Sequence, residues 1–276
     1  MLPLVKWPGG KRRELGIIRQ HLPEYRRYFE PFLGGGALWL DQVPARSYLN
    51  DSHALLIALY RYIQSKDVEF REGVYDFTAL WEGTRRGKRS EIYYQTRERY
   101  NQNEETDCQK VIDFWILREL AYGGMFRFNS NGGFNVPFAG SYAEKDMNKK
   151  ASLLLSAEIT DIMENAVFYQ EDFHHFLTRF KFKETDFVFL DPPYHCDFTK
   201  YGDDDFTEDD HLRLADTLRT LQAKFMLVIQ KTDFVDETYT NDGYSITEYD
   251  KKYSFNIRGR NKQATTHLMI TNYGAN

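Results

Sequence analysis

Short apolar strands alternating with helical segments predict an α/β protein: a largely parallel, covered sheet interrupted by a mainly helical insertion. Three observations carry that prediction. Phe187-Val188-Phe189-Leu190 is an apolar run of strand length. Tyr28 to Leu38 reads as strand, glycine turn, then helix start. From about Ser65 to Lys150 the composition shifts, and aromatic and charged residues mix in helical stretches such as Ile92 to Tyr100 and Val111 to Tyr122.

In order along the chain, Lys6-Trp7-Pro8-Gly9-Gly10-Lys11 is a loop whose glycines let backbone approach a ligand closely. Leu15, Ile18 and Leu22 have helical spacing, so a helix is expected over Arg13 to His21, stopped by Pro23. In Glu30-Pro31-Phe32-Leu33-Gly34-Gly35-Gly36 the glycines permit a tight turn and close ligand contact. The spacing departs from G-x-G-x-x-G, and no Lys-Ser/Thr follows, which demotes dinucleotide-fingerprint and P-loop readings. Ser47 to Asn50 is a second strand ending in Asp51, with Ser52 expected to cap the helix of Ala54, Leu55, Ile57, Ala58 and Tyr60. An acid there, about 20 residues after the glycine turn, is placed to accept hydrogen bonds from ribose hydroxyls.

Within the 65–150 region, Gly123 to Pro137 is rich in Gly and Asn, and Asn131-Gly132 between aromatic runs signals a hairpin. Aromatic and polar side chains on such a hairpin suit a nucleic-acid groove; taken alone, an exposed structural hairpin explains them as well. Ala166 to Tyr169 is strand-like and leads through Glu171-Asp172 to a helix over Phe173 to Phe180. Thr207 and Asp210 form a capping-box pattern for a helix running to about Gln222. Phe225 to Ile229 is a buried strand, and Ser245 to Tyr249 and Thr266 to Thr271 are expected to close the sheet as antiparallel strands.

Composition narrows the classes. A chain of 276 residues holds one large domain or a domain with an insertion. No apolar run approaches the ~18 residues of a membrane span, and no signal-peptide core is present, so a reduced, cytoplasmic protein is expected. Cys108 and Cys196 are too few for a disulfide framework or a four-Cys zinc site. The net charge of −5 hides segregation. Lys6 to Arg27 holds seven basic residues against two acids, Lys251 to Lys262 five more with no acid, and Asp203 to Asp210 six acids with no base. Local fields of that kind attract a polyanion more than the sum does. His174-His175 is a helix-face pair rather than a metal site, and no metal is expected.

The strand Phe187 to Leu190 runs into Asp191-Pro192-Pro193-Tyr194. The prolines end the ladder, because neither has an N–H to donate and each fixes φ. An acid and an aromatic are left at the carboxyl end of a strand, where open α/β sheets hold their ligands. A rigid acceptor beside a flat ring suits a planar substrate carrying an amino group. On these four residues alone, a strand running into an exposed Pro-Pro turn explains the pattern equally well.

With these residues in place, nearly the whole chain resembles the Dam-type group of D12-class DNA adenine-N6 methyltransferases. The resemblance rests on motif order: Lys-Trp-x-Gly-Gly-Lys from Lys6, Glu-Pro-Phe-x-Gly-x-Gly from Glu30, Asp51 after the second strand, an Arg-aromatic-Asn hairpin from Arg127, Phe-Asn-Val-Pro from Phe134, then Asp-Pro-Pro-Tyr. It implies an S-adenosylmethionine-dependent, Rossmann-like methyltransferase domain over 1–64 and 160–276, with a target-recognition domain over 65–159. Trp7 and Lys11 would help bind the cofactor, Phe32, Gly34 and Gly36 would form its cradle, and Asp51 would hold its ribose. Glu171 or Asp172 would face its adenine, with Asp172 the choice, and Asp191 would adjoin it. Asp191, Pro192, Pro193 and Tyr194 match the catalytic motif. Lys6, Tyr122, Arg127, Asn129 and Pro137 would meet DNA, Arg127 by reading a guanine. The implied partner is double-stranded DNA, with no membrane, and the protein is expected to be a monomer.

This chain departs from the family pattern at Gly123-Gly124, where Asn-Gly is frequent, and at Ala139-Gly140, where an Arg sometimes follows. His267 stands where the last strand often has an acid. The first two departures bear on the target sequence and leave the reaction untouched. Competing readings are a same-fold enzyme acting on cytosine N4 or RNA adenine, and a catalytically silent DNA-binding regulator. Cytosine enzymes more often carry Ser in place of Asp191, and a binder has no use for Asp191, Tyr194, Trp7 and Lys11 together.

Overall fold

The computed structural model describes residues 4–102, 107–140, 146–194, 206–240, 243–251 and 265–274. Cys196, the acids from 203 to 205 and all of the basic run after Lys251 lie outside these residues. The seven strands are β1 (Arg27–Glu30), β2 (Ser47–Asn50), β3 (Ala166–Tyr169), β4 (Asp186–Leu190), β5 (Lys224–Gln230), β6 (Ser245–Lys251) and β7 (Thr265–Thr271). They form one sheet in the order β3-β2-β1-β4-β5-β7-β6. The pairs β1/β2, β1/β4 and β4/β5 are parallel, whereas β5/β7 and β6/β7 are antiparallel, as the alternating patterns predict.

That order contains the feature that positions a site. Chain order runs outward from β1 through β2 to β3 on one side, and from β4 to β5 on the other. The reversal falls between β1 and β4, and open α/β sheets hold their ligands at such a reversal, outside the strand carboxyl ends. Every residue of β4 is buried, as a strand covered on both faces must be.

The helices are α1 (Leu15–Ile18), α2 (Ala37–Gln42), α3 (Ala54–Gln64), α4 (Val68–Gly83), α5 (Arg89–Gln102), α6 (Cys108–Leu120), α7 (Met147–Leu154), α8 (Ala157–Met163), α9 (Phe173–Thr178), α10 (Glu208–Thr220) and α11 (Asp233–Tyr239). The expected single helix over Arg13 to His21 is instead α1 between two 3₁₀ turns, Lys11–Arg13 and Arg19–His21. Gly16 lies inside it and Pro23 follows it, so little holds a longer helix together. The predicted Ser52 cap is also corrected: His53 is the N-cap of α3, its Nδ1 accepting from Leu56 N. The capping box at Thr207 and Asp210 is present in full.

Two compact units make up the chain. One comprises Met1–Arg13, Gly34–Val43 and His53–Gln170, and the other Glu14–Leu33, Pro44–Ser52 and Glu171–Asn276. The first is built on α3 to α8, with Phe70, Trp81, Tyr93, Phe114 and Trp115 buried in its interior. The second carries β1, β2 and β4 to β7 and buries Phe29, Val188, Phe189, Leu227 and Val228.

Candidate active site

In the second unit, β1, β2 and β4 run parallel, so the residues that follow them emerge at one end of the sheet. Asp191 and Tyr194 are half-buried there, Pro192 is buried and Pro193 exposed. The tip is therefore stiff without being packed shut. Behind it, the Tyr194 ring meets the edge of His267 with centroids 5.3 Å apart. His267 is fully buried on β7 and pairs across the ladder with Tyr249 of β6. Glu14 Oε2 accepts from the Tyr249 hydroxyl at 2.6 Å and lies 3.4 Å from His267 Nδ1. His267 thus reaches an acid supplied from Glu14, some 250 positions away.

Asp51 and Phe32 lie at the same strand ends and are half-buried. The neighbouring loops are joined by Asn50, whose Nδ2 donates to the carbonyls of Pro31 and Glu171, each at 3.0 Å, while its Oδ1 accepts from Glu171 N at 3.1 Å. Phe32 packs against Phe173 and Phe206 with centroids 5.4 and 5.5 Å away. Asp172 is the N-cap of α9 and accepts from His174 N at 2.9 Å and from Arg213 at 2.8 Å. Burial raises its pKa, but Arg213 and the amides of His174 and His175 outweigh that and hold it below the usual carboxylate value. Glu171 makes a forked pair with Arg179 at 2.9 and 2.7 Å.

In the first unit, Gly34 and Gly36 take left-handed φ of +49° and +60°, which glycine adopts freely. A Cβ on Gly34 would lie 2.6 Å from Trp7 Cδ1, so the indole rests directly on this loop. Glycine there, beside a half-buried indole, fits a cradle for a nucleoside-bearing group. The Tyr60 hydroxyl donates to Gly34 O at 3.0 Å and fixes the turn from the other side. Lys11 is buried, with Nζ 3.3 Å from Gly9 O.

The predicted hairpin in this unit is a paired loop rather than two full strands. Phe128 and Phe134 form a single antiparallel bridge, flanked by Asn129 N to Gly133 O and Asn135 N to Arg127 O. Asn129 Oδ1 accepts from the amides of Asn131 and Gly133, shaping the turn, and Gly132 supplies its positive φ. Arg127 is exposed and braces the arms through Asn135 Oδ1 at 2.8 Å. Tyr122 is exposed, and its N–H donates to the carbonyl of Pro137, bringing those two predicted residues together. Lys6 reaches Glu119 O with Nζ at 3.0 Å.

The D12 class N6 adenine-specific DNA methyltransferase family matches residues 7–255 of this chain. The chain belongs to that family. A Type II methyltransferase, M.CviBI of Paramecium bursaria Chlorella virus NC1A, is 35% identical over 99% of this chain and 100% of its own length. Another, M.MjaIII of Methanocaldococcus jannaschii, is 29% identical over 98% and 99%. The DNA adenine methylase of Escherichia coli strain K12 is 31% identical over 82% of this chain and 78% of its own. This D12-class methyltransferase is therefore an enzyme of DNA adenine-N6 methylation with a Rossmann-like fold, and the cytosine, RNA and silent-regulator readings are not favoured. Methyltransferase membership implies S-adenosylmethionine as methyl donor and DNA as substrate. Among the described residues no group of three or more potential ligands could hold a metal, and no helix is long and apolar enough to cross a membrane.

Several residues of these sites escape a reading of the sequence: Asn50, which reaches Glu171, His53, which packs against Trp7, Asn101, which donates to Phe134 O, and Arg118, which donates to Lys6 O. Each acts on chain far away in sequence, and spacing alone carries no signal for that. His267 was noted only as a departure, and its partner Glu14 sits in an unremarkable helical start.

Proposed function

We propose that this D12-class enzyme acts on an adenine flipped out of double-stranded DNA, at a specific sequence, as a monomer in the cytoplasm of a bacterial or phage-infected cell. A target-recognition domain over 65–159, inserted in a catalytic domain over 1–64 and 160–276, meets the duplex. Asp191 and Tyr194, half-buried at the tip of β4 beside the strand-order reversal, are the observation that supports this most.

The exocyclic amine of adenine is a poor nucleophile because its lone pair is delocalised into the ring. The Asp191 carboxylate and the Pro192 carbonyl accept its two N–H bonds, bias the nitrogen toward a tetrahedral shape and free the lone pair. Proline stiffness keeps both acceptors in place, so positioning and electrostatics lower the barrier together. Tyr194 stacks on the extruded base, and its contact with buried His267 limits where the ring can lie. When bound, S-adenosylmethionine would supply an electrophilic sulfonium methyl, with S-adenosyl-L-homocysteine as the product and one proton of the amine released. Trp7, Lys11, Phe32, Gly34, Gly36, Asp51, Asp172 and Asp191 hold it, Asp51 by accepting from its ribose. Lys6, Tyr122, Arg127, Asn129 and Pro137 meet the DNA. No metal takes part in this scheme.

The test is transfer of labelled methyl from the cofactor to duplex, single-stranded DNA and RNA, with the modified base identified. Label on N6 of duplex adenine at one sequence is expected; label on single strands or RNA alone ends the reading. Asp191→Ala is expected to lose about 10²–10³-fold or more in turnover with cofactor binding still measurable, and unchanged turnover would dispose of the mechanism.

A further inference from the structure

Arg118, near the end of α6, is fully buried and charged. Desolvation pulls its pKa down to about 10, which leaves it protonated at neutral pH. Burying a cation costs several kcal/mol unless its donors are well satisfied. A methionine of similar length would fill the same helix position without that cost, so packing alone does not explain an arginine. Its partners do. Nε and Nη2 donate to the Lys6 carbonyl at 3.0 and 2.6 Å, and Nη1 donates to the Met125 carbonyl at 3.2 Å. The guanidinium also lies 5.4 Å from the centroid of Trp7 and 4.8 Å from that of Phe126.

Those two ends have different tasks in the reading above, on which this inference rests. Lys6-Trp7 belongs to the cofactor motif, and the Trp7 indole rests on Gly34 of the glycine loop. Met125-Phe126 opens the paired loop that carries Arg127, and Phe126 packs on Phe128 and Phe134 within it, centroids 4.9 and 5.5 Å away. His53 closes the cluster, 5.3 Å from Trp7 and 5.4 Å from Phe126. We propose that Arg118 is a positioning residue that, through the Lys6 carbonyl, sets the cofactor-side Trp7 and, from the same planar fork, the target-reading segment Met125-Phe126, so that cofactor affinity and target discrimination depend on the same group. Lysine cannot substitute: it keeps the charge but loses the fork geometry and the planar cation that lies near both rings.

The experiment uses the full chain with Arg118→Lys, Arg118→Met and Phe126→Leu, the last keeping an apolar side chain while removing one stacked ring. Three quantities are read: the change in tryptophan fluorescence on titrating S-adenosyl-L-homocysteine, the ratio of binding affinities for the methylated target sequence and a singly substituted duplex, and the thermal midpoint. Trp39, Trp81 and Trp115 are fully buried, so the half-buried Trp7 is the expected reporter, which Trp7→Phe verifies. Both Arg118 variants are expected to lose on the order of tenfold in product affinity and in discrimination together, with a smaller paired loss for Phe126→Leu. A lowered midpoint with both other quantities within about twofold of wild type overturns the proposal, as does loss of one without the other. If an Arg118 variant fails to fold, Phe126→Leu decides by the same criteria. Absence of methyl transfer by the wild type would instead end the functional reading itself.

Discussion

Two asparagines, one in each compact unit, do the same job in different surroundings. Asn50 grips Glu171 by both its N–H and its C=O, and Asn101 grips Phe134 in the same two-point manner, at 2.8 and 3.1 Å. Each side-chain amide imitates a neighbouring strand and holds a loop that has none. Asn50, however, is buried, ends a sheet strand, and takes in the carbonyl of Pro31 as a third partner. Asn101 is exposed near the end of α5, and the loop it holds has further ties to that helix: the Tyr93 hydroxyl donates to Val136 O at 2.9 Å, and Arg97 lies at 3.4 Å. The sheet end is held by a buried side chain, whereas the Phe134 loop is held in part by an exposed one. The contrast matches their proposed tasks, since a reacting amine needs fixed acceptors and a groove reader needs room to adjust.

Asn50→Ala gives the largest expected effect. It would strand the buried Pro31 carbonyl and the partly buried N–H and C=O of Glu171, so a loss of about 2–3 kcal/mol is expected in chemical denaturation. Asn50→Asp is expected to be no better, because a carboxylate would face the carbonyls of Pro31 and Glu171. A loss below about 1 kcal/mol for both would show that the sheet end does not depend on this clamp.

Arg127→Ala should leave stability nearly unchanged, since the side chain is exposed, yet relax discrimination at one base pair by about 1–3 kcal/mol in competition binding. Uniform weakening across all sequences would indicate a phosphate contact instead. Asn101→Ala should cost less, about 1 kcal/mol of stability, because it removes two bonds rather than three and the side chain itself is exposed. Equal costs for Asn50→Ala and Asn101→Ala would erase the contrast between the two regions.

Much of the sheet was legible. Strands over Ser47 to Asn50 and Ala166 to Tyr169 have the expected bounds, because short apolar runs bordered by turn residues leave few choices. The acid and phenol after β4 were legible for the same reason: two prolines must end a ladder. The strand order was not, since it depends on pairings between β1 and β4 across about 160 residues of chain. Nor were the groups that hold the site, such as Arg118 with Met125 or Asn50 with Glu171. Polar clamps leave no periodic trace, and only the folded backbone shows which carbonyl lies in reach. The hairpin is legible as a turn through Asn131-Gly132 but not as two strands, for its arms share a single backbone bridge that side chains such as Asn101 brace.

Asp172 offers the finest distinction, between a group that shapes the sheet end and one that also meets the ligand. Asn caps a helix as well as Asp does, so Asp172→Asn keeps the start of α9 and removes only the charge facing Arg213. That pair is half-exposed, and at neutral pH the cost is expected to be a few tenths of a kcal/mol. In the wild type the folded pKa lies below the unfolded value of about 3.9, so the contribution is present above that pH and vanishes as pH falls through the folded value. The stability gap between wild type and variant should therefore hold at neutral pH and close only as pH falls below about 3.9 and through the lower folded value, as urea denaturation at each pH would read. A charged acceptor binds a donor roughly twice as strongly as a neutral one, so loss of the charge should weaken S-adenosyl-L-homocysteine a few-fold if Asp172 accepts from its adenine. A closing stability gap with unchanged product affinity would leave Asp172 as a helix cap and nothing more.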